Sequence, residues 1–260
     1  MGVATETYQN YFANRRYVAF IDILGFSALV KRVHSERHLF EEILAILREV
    51  AAYRPEVVEG GPTDLWKNML SATAFSDNIV LSSEARYSPA LIAMASSILC
   101  LRLLGLGVFT RGGITCGSLY HDEHVVFGDA LIEAYELERS VARYPRIVLD
   151  RTVASVLLNQ PAPGVPDLRR IDFDGIAHLH YLSPGIKGFL PVLFPKGNAA
   201  AASASLAFDP DTVRKVVESA LIKEADRGIR SKLIWFARYF NEYAESLGLN
   251  PVGLEAGIVA

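Results

Sequence analysis

Residues 15 to 30 read RRYVAFIDILGFSALV, and from Tyr17 to Leu24 every residue but one is apolar or aromatic. β-Branched and aromatic types dominate the run, and Arg16 and Gly25 bound it, so it predicts a strand buried on both faces. Such a strand belongs inside a sheet, and the rest of the chain must be arranged around it. The exception is Asp22. A carboxylate among Val18, Phe20, Ile21, Ile23 and Leu24 is costly unless something positive meets it, so Asp22 is a candidate site residue that needs a partner.

The neighbours of this strand can be read along the chain. SERHLFEEILAILREVAAY sets Leu39, Ile43, Leu44, Ile46, Leu47 and Val50 at helical spacing, with Ser35 as the expected N-cap. YRPEVVEGGPTD is a loop. LWKNMLSATAFSDNIVLSS predicts two strands around Ser76-Asp77-Asn78, which puts a second acid, Asp77, at a hairpin tip. A helix from about Ser88 to Leu104 follows, broken by Gly105 and Gly107, then a second hairpin from VFTRGGITCGSLY and HVVFG. DALIEAYELERSVARY predicts a helix and RIVLD a strand. Beyond residue 150, RTVASVLLNQ predicts a short helix, LRRIDFDG and AHLHYL short strands, NAAAASASLAFDP a linker, and the stretch from Asp211 to Ser246 two helices. The second of these carries Leu233, Ile234, Phe236, Ala237, Tyr239 and Phe240, too apolar to stand alone, and is expected to dock on the core or on a second subunit. The order predicts an α+β domain with an antiparallel-rich, ferredoxin-like sheet covered by one helical layer, spanning 15–185, and a helical extension over 200–250.

Bulk properties narrow the function classes. A chain of 260 residues with 51% apolar and 21% charged composition is ordinary globular material. A formal net charge of −3 gives no general reason to bind nucleic acid or a membrane surface, and neither is expected as a partner. Cys100 and Cys116 fall in a predicted helix and a predicted strand, which suits free thiols in a reducing cytoplasm. The N-terminal residues lack the apolar core of a signal peptide. SPALIAMASSILCLRLLGLGVF is interrupted by Arg102 before spanning length and reads as a buried helix running into a strand.

Asp22 at a strand end and Asp77 at a hairpin tip can converge where strands of such a sheet lie side by side. Paired carboxylates of this kind hold two divalent cations about 3.5–4 Å apart in phosphoryl transfer. Gly25-Phe26-Ser27 opens a helix, whose free N–H groups attract phosphates. The competing reading of an acid after a strand is a turn or cap residue. Other motifs carry less. Gly105-Leu106-Gly107 precedes a strand and so fails as a dinucleotide fingerprint, and no Walker A is present. His178 and His180 lack further ligands nearby, and Ser27, Ser76 and Ser118 have no nucleophile-elbow context. Trp66, Trp235 and the tyrosines read as core or interface.

Taken together, FIDILGFSAL, FSDNIVL and RGGITCG resemble, in order, the first strand and phosphate loop, the second metal-binding acid and the Arg-x-Gly-Ile-x-x-Gly strand of class III nucleotidyl cyclases. The resemblance covers about residues 16 to 150, and three motifs in correct order are more specific than any one. It implies two cations, Mn²⁺ or Mg²⁺, on Asp22 and Asp77, with the main-chain carbonyl of Ile23 completing one. It also implies a head-to-tail homodimer whose interface forms the site. The family's transition-state Asn and Arg fall on Ile132 and Glu136, which cannot take their role. GDALIEAYELE, YPRIVLD and KLIWFARYFNEY are similar to the Pycsar antiphage cyclases, in which that loss accompanies activity and which make cyclic pyrimidine mononucleotides. Cations able to replace the arginine are Arg111, the first choice, and Arg146, Lys187 and Lys232. The purine-reading positions of the family fall on Thr73 and Val125, which implies a pyrimidine, with Tyr120 or Trp66 filling the vacated space. The implied substrate is UTP, with CTP as the alternative, and the implied product is cyclic UMP acting on a separate effector. The contrasting reading is a silent homologue that senses a nucleotide. A diguanylate cyclase is not supported, because the hairpin reads Phe75-Ser76-Asp77-Asn78.

Overall fold

The apolar run around Asp22 forms strand β1, Arg15–Ile23, in the computed structural model, which describes residues 11, 15–51, 70–122, 124–159, 165–183, 185–186 and 209–254. Residues 17 to 21 are buried without interruption, and their alternation divides the interior in two. Tyr17, Ala19, Ile21 and Ile23 point into the larger apolar cluster, while Val18 and Phe20 point into a smaller one on the other face. This is how a strand with no polar stripe satisfies both sides.

After β1 come helices α1 (Phe26–Val33) and α2 (Arg37–Ala51), strands β2 (Leu70–Phe75) and β3 (Asn78–Glu84), helix α3 (Ala90–Gly105) and strand β4 (Thr110–Ser118). β1 pairs antiparallel with β3 on one side and β4 on the other, and β2 forms a hairpin with β3. The chain continues through a small ribbon, β5 (Tyr120–His121) and β6 (Val126–Phe127), into helix α4 (Asp129–Glu136) and a π-helical turn, Leu137–Val141. Strand β7 (Ile147–Leu149), helix α5 (Arg151–Asn159), strands β8 (Arg169–Ile171) and β9 (Ala177–Leu179), and helices α6 (Pro210–Lys223) and α7 (Arg227–Ser246) complete it. The main sheet runs β2-β3-β1-β4-β7-β9-β8, with β4 and β7 parallel and the other pairs antiparallel. Among the described residues the protein is α+β, as expected, with a mixed seven-stranded sheet and seven α-helices.

Local chemistry sets the element ends. Ser76, at φ 56°, and Asp77 form the two-residue link between β2 and β3, with Phe75 already paired to Asn78. α3 is buried almost all round, including Ser96, Ser97 and Arg102, which explains its mostly apolar composition. Asp209 and Asp226 cap α6 and α7, each carboxylate accepting from amides of the first turn. α7 buries Leu233, Trp235, Phe236, Tyr239 and Phe240 in the main cluster, with Phe236 edge-on against Phe109 at 5.0 Å. Among the described residues no helix is long and apolar enough to cross a membrane.

Three expectations need correction. A single helical layer does not describe this sheet, because α4 packs on the opposite face through Ala130 and Ala134. Gly113 permits that approach: a Cβ there would lie 2.5 Å from the Leu137 Cβ and 2.6 Å from the Ala134 carbonyl oxygen. The second hairpin is also different, since β4 stays in the main sheet and the ribbon pairs β5 with β6. Ser35 does not cap α2; its hydroxyl donates to the Arg32 carbonyl and so closes α1. Trp66, Lys187 and residues 198–208 of the linker lie outside the described residues.

Candidate functional site

β1 delivers Asp22 to the end of the sheet, between β3 and β4. In register, Asp22 faces Asn78 on one side and Arg111 on the other. The Asp77 carbonyl accepts from the Ile23 amide at 2.9 Å, which ties the hairpin tip to the end of β1. The Asn78 side-chain amide donates to Asp77 Oδ1 at 2.9 Å. The sheet register therefore brings the two acids singled out in the sequence to one corner.

The partner that Asp22 requires is Arg111. Its Nε donates to Asp22 Oδ2 at 3.1 Å, while Nη2 lies 2.6 Å from Glu138 Oε1 as an ion pair rather than an aligned hydrogen bond. Glu138 was not singled out in the sequence. It sits in the π-helical turn with its side chain 4% exposed. Burial pushes its carboxyl pKa up; Arg111 opposes this, and the negative charges of Asp22 and Asp77 add to it. A signal for it exists, because Ala130, Ala134 and Glu138 recur every four residues and form the stripe of α4 and its π turn that faces the sheet. The π turn, closed by the Ala142 amide on the Leu137 carbonyl at 2.9 Å, is a geometry that recurs at functional sites.

The corner also borders the start of α1. Gly25 takes a left-handed conformation, φ 72°, and the amides of Ala28 and Leu29 close on its carbonyl. Phe26 and Ser27 occupy the first helical positions, where amides lack intrahelical acceptors. The first turn carries no acid that would repel an anion.

Asp22 and Glu138 share the Arg111 guanidinium, and Asp77 sits at the adjoining hairpin tip, an acid-rich corner that can attract a cation. Asp22 Oδ1 and Asp77 Oδ2 keep lone pairs outside the bonds described, and oxygen donors of this kind suit Mg²⁺ or Mn²⁺. Among the described residues, no group of three or more His, Cys, Asp or Glu is arranged to hold a metal ion.

The other sequence candidates fall elsewhere. Arg146 is fully buried, paired with Asp172 and, at 2.6 Å, with Asp174, and packed against the rings of Tyr144 and Trp235. It is a structural cation rather than a replacement for a catalytic arginine. Lys232 lies on α7 and, among the described residues, pairs with neither aspartate. Ile132 is exposed on α4, and Glu136 faces Arg139 and Ser140. Val125 is exposed and donates its amide to Asp122, as Tyr120 donates its hydroxyl. Thr73 lies on the α4-facing side of the sheet, 3.0 Å from His121 Nε2. His178 and His180 gather around Tyr239, both pushed down to about 4 by burial, and serve the core.

No protein-family model matches the chain, and no curated protein matches it either.

Proposed function

We propose that this protein is a nucleotidyl cyclase of the class III type, closest to the Pycsar antiphage cyclases, converting UTP to 3′,5′-cyclic UMP and pyrophosphate, with CTP as the alternative substrate. The observation that carries the reading is the corner itself: Asp22 at the end of β1, bridged through Arg111 to a buried glutamate, with Asp77 at the hairpin tip tied to the end of β1, beside the N-terminus of α1. The strand order β2-β3-β1-β4 on a β-α-α-β-β-α-β chain, a β-α-β-β-α-β plan with a second helix in its first connection, supports a ferredoxin-like core for it.

In this reading the ribose 3′-oxygen bonds to the α-phosphorus, the bond from that phosphorus to the β-phosphate oxygen breaks, and the hydroxyl proton leaves to solvent. Asp22 and Asp77, with the Ile23 carbonyl, would hold two divalent cations, which acidify the hydroxyl and neutralise charge on the triphosphate. The amides of Phe26 and Ser27 bind phosphate oxygens, which Gly25 allows to approach closely. Arg111 offers a guanidinium to the charge that develops on the transferred phosphoryl group, and Glu138 holds it there. Ile132 and Glu136 contribute no positive charge, and Arg111, already at the corner, is the cation assigned that role.

A homodimer completes the site. Val125, Phe127 (67% exposed), Ile132 (63% exposed) and Tyr135 lie on β5–β6 and α4, an apolar surface on the same side of the sheet as Asp22. The product would act on a separate effector.

A second reading, a homologue that binds nucleotide without turnover, is favoured by one observation: Arg111 already occupies one oxygen of Asp22. Incubation of the purified protein with each of the four ribonucleoside triphosphates and Mn²⁺, with products resolved by mass spectrometry, separates the two. Cyclic UMP is expected. Cyclic CMP corrects the base, cyclic AMP or GMP rejects the pyrimidine assignment, and no cyclic product rejects the enzyme.

A further inference from the structure

Within the acid corner one guanidinium serves two carboxylates unequally. Arg111 gives its aligned hydrogen bond to Asp22, from Nε to Oδ2 at 3.1 Å. Toward Glu138 it offers only proximity: Nη2 lies 2.6 Å from Oε1 without the angle of a hydrogen bond, and that buried oxygen has no hydrogen-bond partner among the described residues. Burial runs the other way. The Glu138 side chain is 4% exposed, that of Asp22 16% and that of Arg111 27%. A buried carboxylate loses more than a partly wetted one when its bonds are unmade, because water cannot replace them. The better-placed bond therefore goes to the carboxylate that needs it less.

The three groups also differ in how freely they can move. Glu138 is held in the π turn, and Asp22 is held by β1, which is paired on both sides. Arg111, on β4, has the longest and most exposed side chain of the three, so its guanidinium is the part that can turn. Its donors form a rigid planar fork. A rotation that aligns an Nη2 hydrogen with Glu138 Oε1 therefore withdraws the Nε hydrogen from Asp22. The corner offers two arrangements of one cation: the one observed, with Asp22 Oδ2 occupied, and a second with Asp22 open and Glu138 bonded.

We propose that Arg111 is a resident counter-cation that guards Asp22: in the metal-free protein it occupies Oδ2, and when a divalent cation arrives it yields that oxygen and turns onto Glu138, which keeps it at the corner. The proposal rests on the paired-cation reading above and deepens it. Glu138 becomes a positioning residue, and an Asp22 that is already bonded becomes compatible with an enzyme. A ligand shifts an equilibrium of this kind only through its differential affinity for the two arrangements, and here the difference is one carboxylate oxygen of Asp22. Asp22 without a guanidinium binds the cation better. With a guanidinium that has no other carboxylate to turn to, it binds the cation worse.

The test measures the metal alone: Mn²⁺ titrated into the full-length protein without nucleotide and followed by calorimetry. Arg111→Gln should bind Mn²⁺ about tenfold more tightly than the native protein, the share of one charge-assisted bond. Glu138→Gln, which keeps the shape and removes the alternative carboxylate, should bind it about fivefold more weakly. In the Arg111→Gln background the same change should move the affinity by less than about twofold, because no guanidinium is left to redirect. A Glu138→Gln loss of full size in that background reports only the pull of its charge on the metal and overturns the exchange, as does an Arg111→Gln affinity equal to native. A second readout needs no variant: the Nε–H resonance of Arg111 in the native protein should shift on saturation with Mg²⁺, and a resonance that stays in place also overturns the exchange. Those results leave the cyclase reading standing. Absence of Mn²⁺ binding in both the native protein and Arg111→Gln removes the paired-cation site and the exchange with it.

Discussion

Arg146→Ala should be strongly destabilising although it lies outside the acid corner. The guanidinium is fully buried, with Asp172 and Asp174 on its edge and the rings of Tyr144 and Trp235 at 5.3 and 5.9 Å from its carbon. Trp235 itself donates its indole N–H to Asp172 at 2.8 Å and stacks on Tyr144, so three elements meet at this one cation. Removing one partner of a buried pair costs on the order of 3–5 kcal/mol, chiefly because the other charge is left stranded. The lost ring contacts add up to about 1 kcal/mol each. Against a whole-domain stability of about 5–15 kcal/mol, a loss near 4 kcal/mol is a large share. Urea unfolding followed by tryptophan fluorescence reads it, and Asp172→Asn with Asp174→Asn in the Arg146→Ala background should restore about half. The pH dependence carries the sign. Arg146 holds the Asp174 carboxyl below its ordinary value, so this part of the stability is present above that value and fades as pH falls through the lowered one. The gap between native and variant therefore narrows in acid. A loss below about 1 kcal/mol, or no recovery in the triple variant, refutes the account of Arg146 as a buried structural cation.

Asp22→Ala and Asp77→Ala should each abolish cyclisation while the circular dichroism spectrum and urea midpoint stay near native; full turnover in either, or turnover in excess chelator, contradicts the paired-cation assignment. His121, His178 and His180 are all pushed down to about 4 by burial. The folded state then binds fewer protons than the unfolded one between about pH 6.5 and 4, and stability falls through that window by up to about 1.4 kcal/mol per pH unit for each. A urea midpoint that stays constant from pH 7 to 4.5 contradicts their burial in neutral form. Gly113→Ala should cost about 1–3 kcal/mol by forcing α4 off the sheet. Gly117→Ala, where the new methyl would meet the Ala130 Cβ at 3.2 Å, should cost less, and thermal melts of the two variants rank them.

Local sequence determined most of the elements and half of the corner. The run around Asp22 has no polar stripe, so it had to be an inner strand. Ser76-Asp77 separates two alternating segments, which sets Asp77 at a tip. Both conclusions need only neighbours in the chain, where side-chain period and turn chemistry act. The tertiary structure decided what meets what. Arg111 lies 89 residues from Asp22 and reaches it because β4 pairs with β1 in one register; a slip by one residue would turn it to the other face. Glu138 is aimed at Arg111 by a π turn that no residue pattern announced. Arg146, to the eye another available cation, is committed to Asp172 and Asp174, and its burial could not be read from an isolated YPRIVLD. His121, in a two-residue strand, joins Thr73 to Ser82 only because the β5–β6 ribbon folds back over β2 and β3. Charges find partners by proximity in space, and proximity across a sheet is set by register and packing, which the order of residues encodes only through the fold as a whole.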